Sequence, residues 1–251
     1  MVKNVSEFQQ DRILRDRLQK AIDMQRAGRI EDAFFEYKSL LADLPGNPQI
    51  LCNLGLIKFT NYDETGEAIS LLRAALESDP DHQDSLYNLG RIYQHFGEHA
   101  RALSYYHRLL TVNPKHAKAL NNAGVAKSKL DDTEGARVCY EEAQLIEGAS
   151  SNALVNQSLL ESRDQNSSKA IELAERSAKE FDANATTHFN LGNQYKDTKR
   201  FIEAAHSYIK SLELDSTIAY AKGYLGFCLG NASFWQGSKE LRDELVDAVL
   251  N

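Results

Sequence analysis

The chain has 251 residues, 42% of them apolar and 26% charged, and its 36 acidic and 29 basic side chains give a net charge of −7. That balance argues against general binding to nucleic acid or to an anionic membrane surface. No segment reaches the apolar length of a membrane span and residues 1–11 hold no apolar signal core, so a soluble, cytoplasmic protein is expected.

From the amino terminus, residues 6–28 read as a helix, with Ile13, Leu14, Leu18, Ala21 and Ile22 at helical spacing and Ser6 with Gln9 as a capping box. A second helix over residues 30–44 is predicted to stop at Pro45. The clearest stretch follows, residues 86–114, LYNLGRIYQHFGEHARALSYYHRLLTVNP. It sets Leu86, Leu89, Gly90 and Tyr93 on one helix, Ala102 and Tyr106 on the next, and Pro114 as a stop.

These positions recur along the whole chain. Small residues stand at Ala21, Gly55, Gly90, Gly124, Ser158, Gly192 and Gly226, spaced by 34 except for the 35 between Gly55 and Gly90. Ala33, Ala68, Ala102, Ala136, Ala170 and Ala204 keep the same interval except for the 35 between Ala33 and Ala68, which places the extra residue between Gly55 and Ala68, in the turn over residues 61–67. An aromatic slot runs Tyr37, Leu72, Tyr106, Tyr140, Ala174, Tyr208, and a stop slot runs Pro45, Pro80, Pro114, Gly148, Asp182, Ser216. A small residue where two antiparallel helices cross lets their backbones approach, and the large side chains fill the space beside the crossing. The fifth unit is the weakest, with Ser158 for Gly, Ala174 for the aromatic and a polar turn at residues 164–168, so flexing is expected there. Cys52, Cys139 and Cys228 are odd in number, far apart and in helical stretches, which predicts buried reduced thiols.

On these registers the chain resembles the tetratricopeptide repeat proteins over residues 14–218. The resemblance implies an all-α fold, a right-handed superhelix (an α-α solenoid) of antiparallel helix pairs. Six full repeats would occupy 14–47, 48–82, 83–116, 117–150, 151–184 and 185–218, with a partial seventh or cap at 219–251, as one solenoid domain over 1–251. It also implies that first helices line a concave groove that binds protein partners.

Two residues before the small register stand Asn53, Asn88, Asn122, Asn156 and Asn190, in five consecutive units. A carboxamide offers a donor and an acceptor side by side, so a row of them could hold an extended peptide by its backbone; the alternative is that the asparagines are consensus filler facing the helices. Arg91, His95, Lys118, Lys129 and Asn193, together with Asp84, Asn152 and Arg163, fall on or near the same face. The basic middle of that set suits an acidic or phosphorylated partner segment. The carboxylate clamp that holds chaperone C-termini is not expected, since the matching windows hold Cys52, Leu56, Asn88, Lys118 and Asn122, with Asn122 where Arg belongs.

No phosphate loop, dinucleotide fingerprint or nucleophile elbow occurs, so neither catalysis nor a cofactor is expected. His95 and His99 are four apart, but Gly97 at the turn keeps them off one helical face, which predicts surface histidines rather than a zinc pair. Residues 220–251 start like a first helix, then insert Phe234-Trp235 ahead of Leu241, Leu245 and Val249. With the asparagine row, this is similar to the amino-terminal array of the O-linked N-acetylglucosamine transferases and Spindly-like glycosyltransferases, which would make the asparagines substrate-holding residues. A solenoid cap is the alternative for the same segment. Two readings therefore stand: a non-catalytic scaffold for an extended partner segment, or the substrate-recognition part of a protein O-glycosyltransferase. Self-association through the end repeats is compatible with either.

Overall fold

The computed structural model describes residues 5–146, 151–180 and 184–232. Among these, thirteen α-helices account for all the regular structure: α1 (Val5–Arg26), α2 (Ile30–Asp43), α3 (Pro48–Asn61), α4 (Thr65–Ser78), α5 (Gln83–His95), α6 (His99–Val112), α7 (Ala117–Lys129), α8 (Thr133–Gln144), α9 (Asn152–Arg163), α10 (Ser167–Glu180), α11 (Ala185–Asp197), α12 (Phe201–Leu214) and α13 (Ala221–Ala232). The fold class is an all-α helical repeat. The chain divides into two compact units, residues 1–126 and residues 127–251.

In the first unit α1 pairs with α2, α3 with α4 and α5 with α6, and each pair packs on the next. The core of its amino-terminal part holds Ala21, Ala33, Tyr37, Leu40, Ile50, Leu54 and Ile57, with Leu14, Leu18 and Ile22 packed against it. Ile13, expected on the same stripe, is 59% exposed. α1 begins at Val5, so Ser6 lies inside its first turn rather than ahead of it as a cap. In the second unit α9 pairs with α10, α11 with α12 and α12 with α13, around Leu191, Tyr195, Ala204, Ala205, Tyr208, Leu225 and Cys228.

The stop slot works as the sequence suggests. α2, α4 and α6 end at Asp43, Ser78 and Val112, two residues ahead of Pro45, Pro80 and Pro114. A proline disfavours helical backbone in the residue before it. Gly148 and Asp182, the stop residues of the fourth and fifth units, lie outside the described residues, as do Phe234, Trp235, Leu241, Leu245 and Val249.

The turn inside each pair is three residues long in all six cases, and its middle residue is left-handed: Gly28, Asp63, Gly97, Asp131, Gln165 and Lys199. In five of them the amide after that residue closes on a carbonyl five residues back, as Glu98 N–H does on Tyr93 at 2.9 Å. This is the Schellman arrangement, which satisfies carbonyls that a helix end leaves open. The exception is the second repeat, where Glu64 N–H reaches Lys58 at 2.9 Å, six residues back. The additional residue is therefore taken up at the end of α3, which has 14 residues where α5 has 13, and not in a widened turn as the sequence suggested.

The small register has a steric cause in both units. A Cβ on Gly90 would stand 2.8 Å from Cδ1 of Tyr106, and one on Gly192 would stand 2.6 Å from Cε1 of Tyr208. Where the facing slot holds Ala174 the restriction lapses, and Ser158 donates its hydroxyl to the Ala170 carbonyl at 2.7 Å. The fifth unit thus replaces packed volume with a buried hydrogen bond between α9 and α10. The three cysteines are free and buried.

Candidate functional site

Two members of the asparagine row, Asn53 and Asn122, serve the tyrosine slot. Tyr37 and Tyr106 are fully buried as rings, and their hydroxyls donate to Gln25 at 2.9 Å and Gln94 at 3.0 Å on their own first helices. Asn53 then donates to the Tyr37 hydroxyl at 3.0 Å, and Asn122 to the Tyr106 hydroxyl at 3.4 Å, each from 16 residues further along. A buried phenol oxygen needs a donor as well as an acceptor, and the asparagine of the following unit supplies it. The second repeat has Leu72 in the slot, so Asn88 finds no phenol; it is 8% exposed and donates to the Cys52 sulfur at 3.5 Å.

The remaining capacity of these amides differs. Asn53 accepts from Gln49 at 3.1 Å, and Asn122 also donates to the Tyr87 hydroxyl at 3.3 Å while accepting from Asn121 at 3.2 Å. In the second unit Asn156 is half-buried and has a partner, whereas half-buried Asn190 follows Ala174 and so meets no phenol there. Asn193 accepts the Tyr208 hydroxyl at 2.8 Å, taking the part that Gln94 takes for Tyr106. Lys118 and Lys129 are exposed on α7.

Arg91, His95 and Asn122 do come together. With Phe59 and Gln94 they line a cleft of about 370 Å³ in the first unit, on the side formed by α3, α5 and α7. The Arg91 guanidinium lies over the Tyr87 ring at 5.9 Å, and His95 meets Phe59 edge-on at 5.6 Å. The cleft thus presents a cation, an imidazole, two carboxamides and an aromatic edge. Tyr87 in turn meets the His116 ring at a tilt, with centroids 5.3 Å apart. Phe59 and Gln94 were not singled out by the sequence; their signal is that each lies one turn from the register residues Gly55 and Gly90.

His95 is exposed as expected, but His99, on a different helix, is half-buried and its Nδ1 has no partner among the described residues. Burial pushes the Cys52 and Cys228 thiols up to about 11 and the Cys139 thiol up as well, so all three stay protonated at pH 7. Among the described residues no group of His, Cys, Asp and Glu is arranged to hold a metal ion, and no helix is long and apolar enough to cross a membrane.

Paired helices joined by three-residue turns, with a small register facing a large side chain across most pairs, define a helical-repeat protein. Family models for the tetratricopeptide repeat match residues 63–110, 117–149 and 185–218. Over those residues the chain carries tetratricopeptide repeats.

Among curated relatives, the Photosystem I assembly protein Ycf3 of Acaryochloris marina is 40% identical over 97 residues, covering 38% of this chain and 49% of that protein. The BBSome complex member BBS4 of Mus musculus is 29% identical over 133 residues, covering 53% of this chain and 25% of that protein. The matched part therefore spans half or less of either relative. Among solved structures, pilF of Pseudomonas aeruginosa superposes with a TM-score of 0.73 at 16% identity, covering 86% of this chain and 98% of that one. A tetratricopeptide repeat protein from Parabacteroides merdae gives 0.63 at 20% identity, covering 95% and 99%. At these identities the structures speak to fold alone. None of these four is described as a glycosyltransferase, and the resemblance to that array gains no support from them.

Proposed function

We propose that the chain is a non-catalytic interaction scaffold that holds an extended, acidic segment of a partner protein on the face formed by its first helices. The observation that carries this reading is the cleft of Phe59, Arg91, Gln94, His95 and Asn122. Arg91 and His95 are exposed, and Arg91 is held over Tyr87 with no carboxylate ion pair among the described residues. A guanidinium so placed donates in a planar fork that suits a carboxylate or phosphate. Lys118 and Lys129 extend the same sign of charge along α7. The names of the two curated relatives, an assembly protein and a complex member, favour an interaction role over catalysis.

In this reading the asparagines have two tasks. Asn53 and Asn122, in the first unit, hold the buried phenols and offer a partner backbone only what is left over, chiefly carbonyl oxygen. Asn88 contributes no contact, because it is buried against Cys52. Each net hydrogen bond is worth about 0.5–1.5 kcal/mol, and ordering a flexible segment opposes the sum, so affinity is modest.

The test is a pull-down from the source cell's lysate with the full chain beside the double variant Arg91→Glu, His95→Ala, both positions being exposed. Partners retained by the parent and lost by an equally helical variant support the groove. Equal capture by both would sink the reading.

A further inference from the structure

α10, α11 and α12 enclose a separate cleft of about 520 Å³, and none of the row asparagines lines it. Its floor is one face of α11, where His188, Leu191 and Tyr195 follow at helical spacing and are each less than a tenth exposed. Its walls come from Ala178 and Lys179 on α10 and from His206 and Lys210 on α12.

The charges in it are unevenly committed. Glu175 accepts the Tyr195 hydroxyl at 2.7 Å. Glu203 accepts from Arg200 at 2.9 Å, and that guanidinium lies over the Tyr195 ring at 4.5 Å. Both carboxylates that line the cleft are therefore engaged at one end. Lys179 and Lys210, both exposed, make no hydrogen bond or ion pair among the described residues. His206 holds the Ile202 carbonyl at 2.9 Å. On the floor the His188 imidazole is buried; that burial, and then the charge of Lys210, lower its pKa, with Glu213 pulling the other way. In a protein of net charge −7 the cleft thus holds two ammonium groups with no ion-pair partner among the described residues, beside a floor of His188, Leu191 and Tyr195.

We propose that this cleft is a second binding site, for an acidic peptide segment whose carboxylates reach Lys179 and Lys210 and whose apolar side chain rests on Ala178 and Leu191. Charge complementarity selects the occupant: a cationic segment would meet two ammonium groups that lack an ion-pair partner among the described residues, and an uncharged one would leave them so. The occupant's carboxylates also offset the effect of Lys210 on His188, so binding favours the imidazolium. By linkage, the segment binds more tightly as pH falls through the His188 titration.

The test follows the histidine ring resonances of the full chain by NMR while adding the capped peptide acetyl-Glu-Asp-Leu-Glu-Asp-amide, with its Gln and Asn counterpart as control. The expected result is that only the acidic peptide moves the His188 signals and raises their titration midpoint. The double variant Lys179→Gln, Lys210→Gln should weaken that binding roughly tenfold or more. The proposal is overturned if both peptides act alike, if the variant binds as the parent does, or if His95 responds and His188 does not. That last outcome would leave the first-helix groove intact as the only acidic-peptide site. An equal response to free glutamate would make the cleft a small-anion site and overturn the peptide assignment.

Discussion

Gly90 and Tyr106 show how one register position dictates another. The Tyr106 ring is fully buried and closes over the Gly90 Cα, so an added methyl has no space to enter. Alanine is the better helix former by about 1 kcal/mol, but overpacking a rigid aromatic costs about 1–3 kcal/mol and outweighs it. Gly90→Ala is therefore expected to lower the urea midpoint. Gly66→Ala, at an exposed helical glycine with nothing within 4 Å, should raise stability by about 0.5 kcal/mol and serves as the control. The same scale governs the thiols. Cys52, Cys139 and Cys228 should be silent to a thiol reagent at pH 8 in the folded chain, and all three should react in denaturant; fast labelling of the native protein would contradict their burial.

Elements were legible wherever a single residue type carried the information. The glycine, alanine and proline registers put the helix pairs and their ends in place because each answers a local steric demand. The turn residues were harder to read. Only Gly28 and Gly97 announce a left-handed position, whereas Asp63, Asp131, Gln165 and Lys199 adopt it without a sequence signal, held there by the closing hydrogen bonds. Those side chains are strained by about 1 kcal/mol, so Gln165→Gly, at an exposed site with φ of 63°, should stabilise the chain by up to about that amount in chemical denaturation. The part played by the asparagines was hidden for a related reason. A separation of 16 residues between Asn122 and Tyr106 means nothing until the phenol is known to face the next unit. The fifth unit remains the place where missing aromatic volume should tell. Amides of α9 and α10 are expected to exchange faster than those of α5 and α6, and Ser158→Ala, which removes the bond to Ala170, should widen that gap.

At the scale of the whole chain, stability should be bounded on the alkaline side by the buried phenols. Burial pushes Tyr37 up to about 12 and raises Tyr106, Tyr140 and Tyr208 as well. The unfolded chain then releases protons from about pH 10, where the folded chain keeps them. Stability is full below pH 10 and falls as pH rises through the folded values. His188 acts in the opposite sense: its pKa is lowered on folding, so its contribution is present above the ordinary histidine value and is lost as pH falls below it. A urea midpoint unchanged between pH 9 and 11 would contradict the account of the tyrosine slot. The central claim, that the first helices carry the binding face, is tested most directly by photo-crosslinking in the source cell. A photoreactive phenylalanine would be placed at His95 in the cleft or at exposed Ser70 on the second helix α4. The account predicts adducts at position 95 that contain acidic segments of a partner, with little at position 70. Adducts formed at position 70 and absent at position 95 would move the binding face to the second helices.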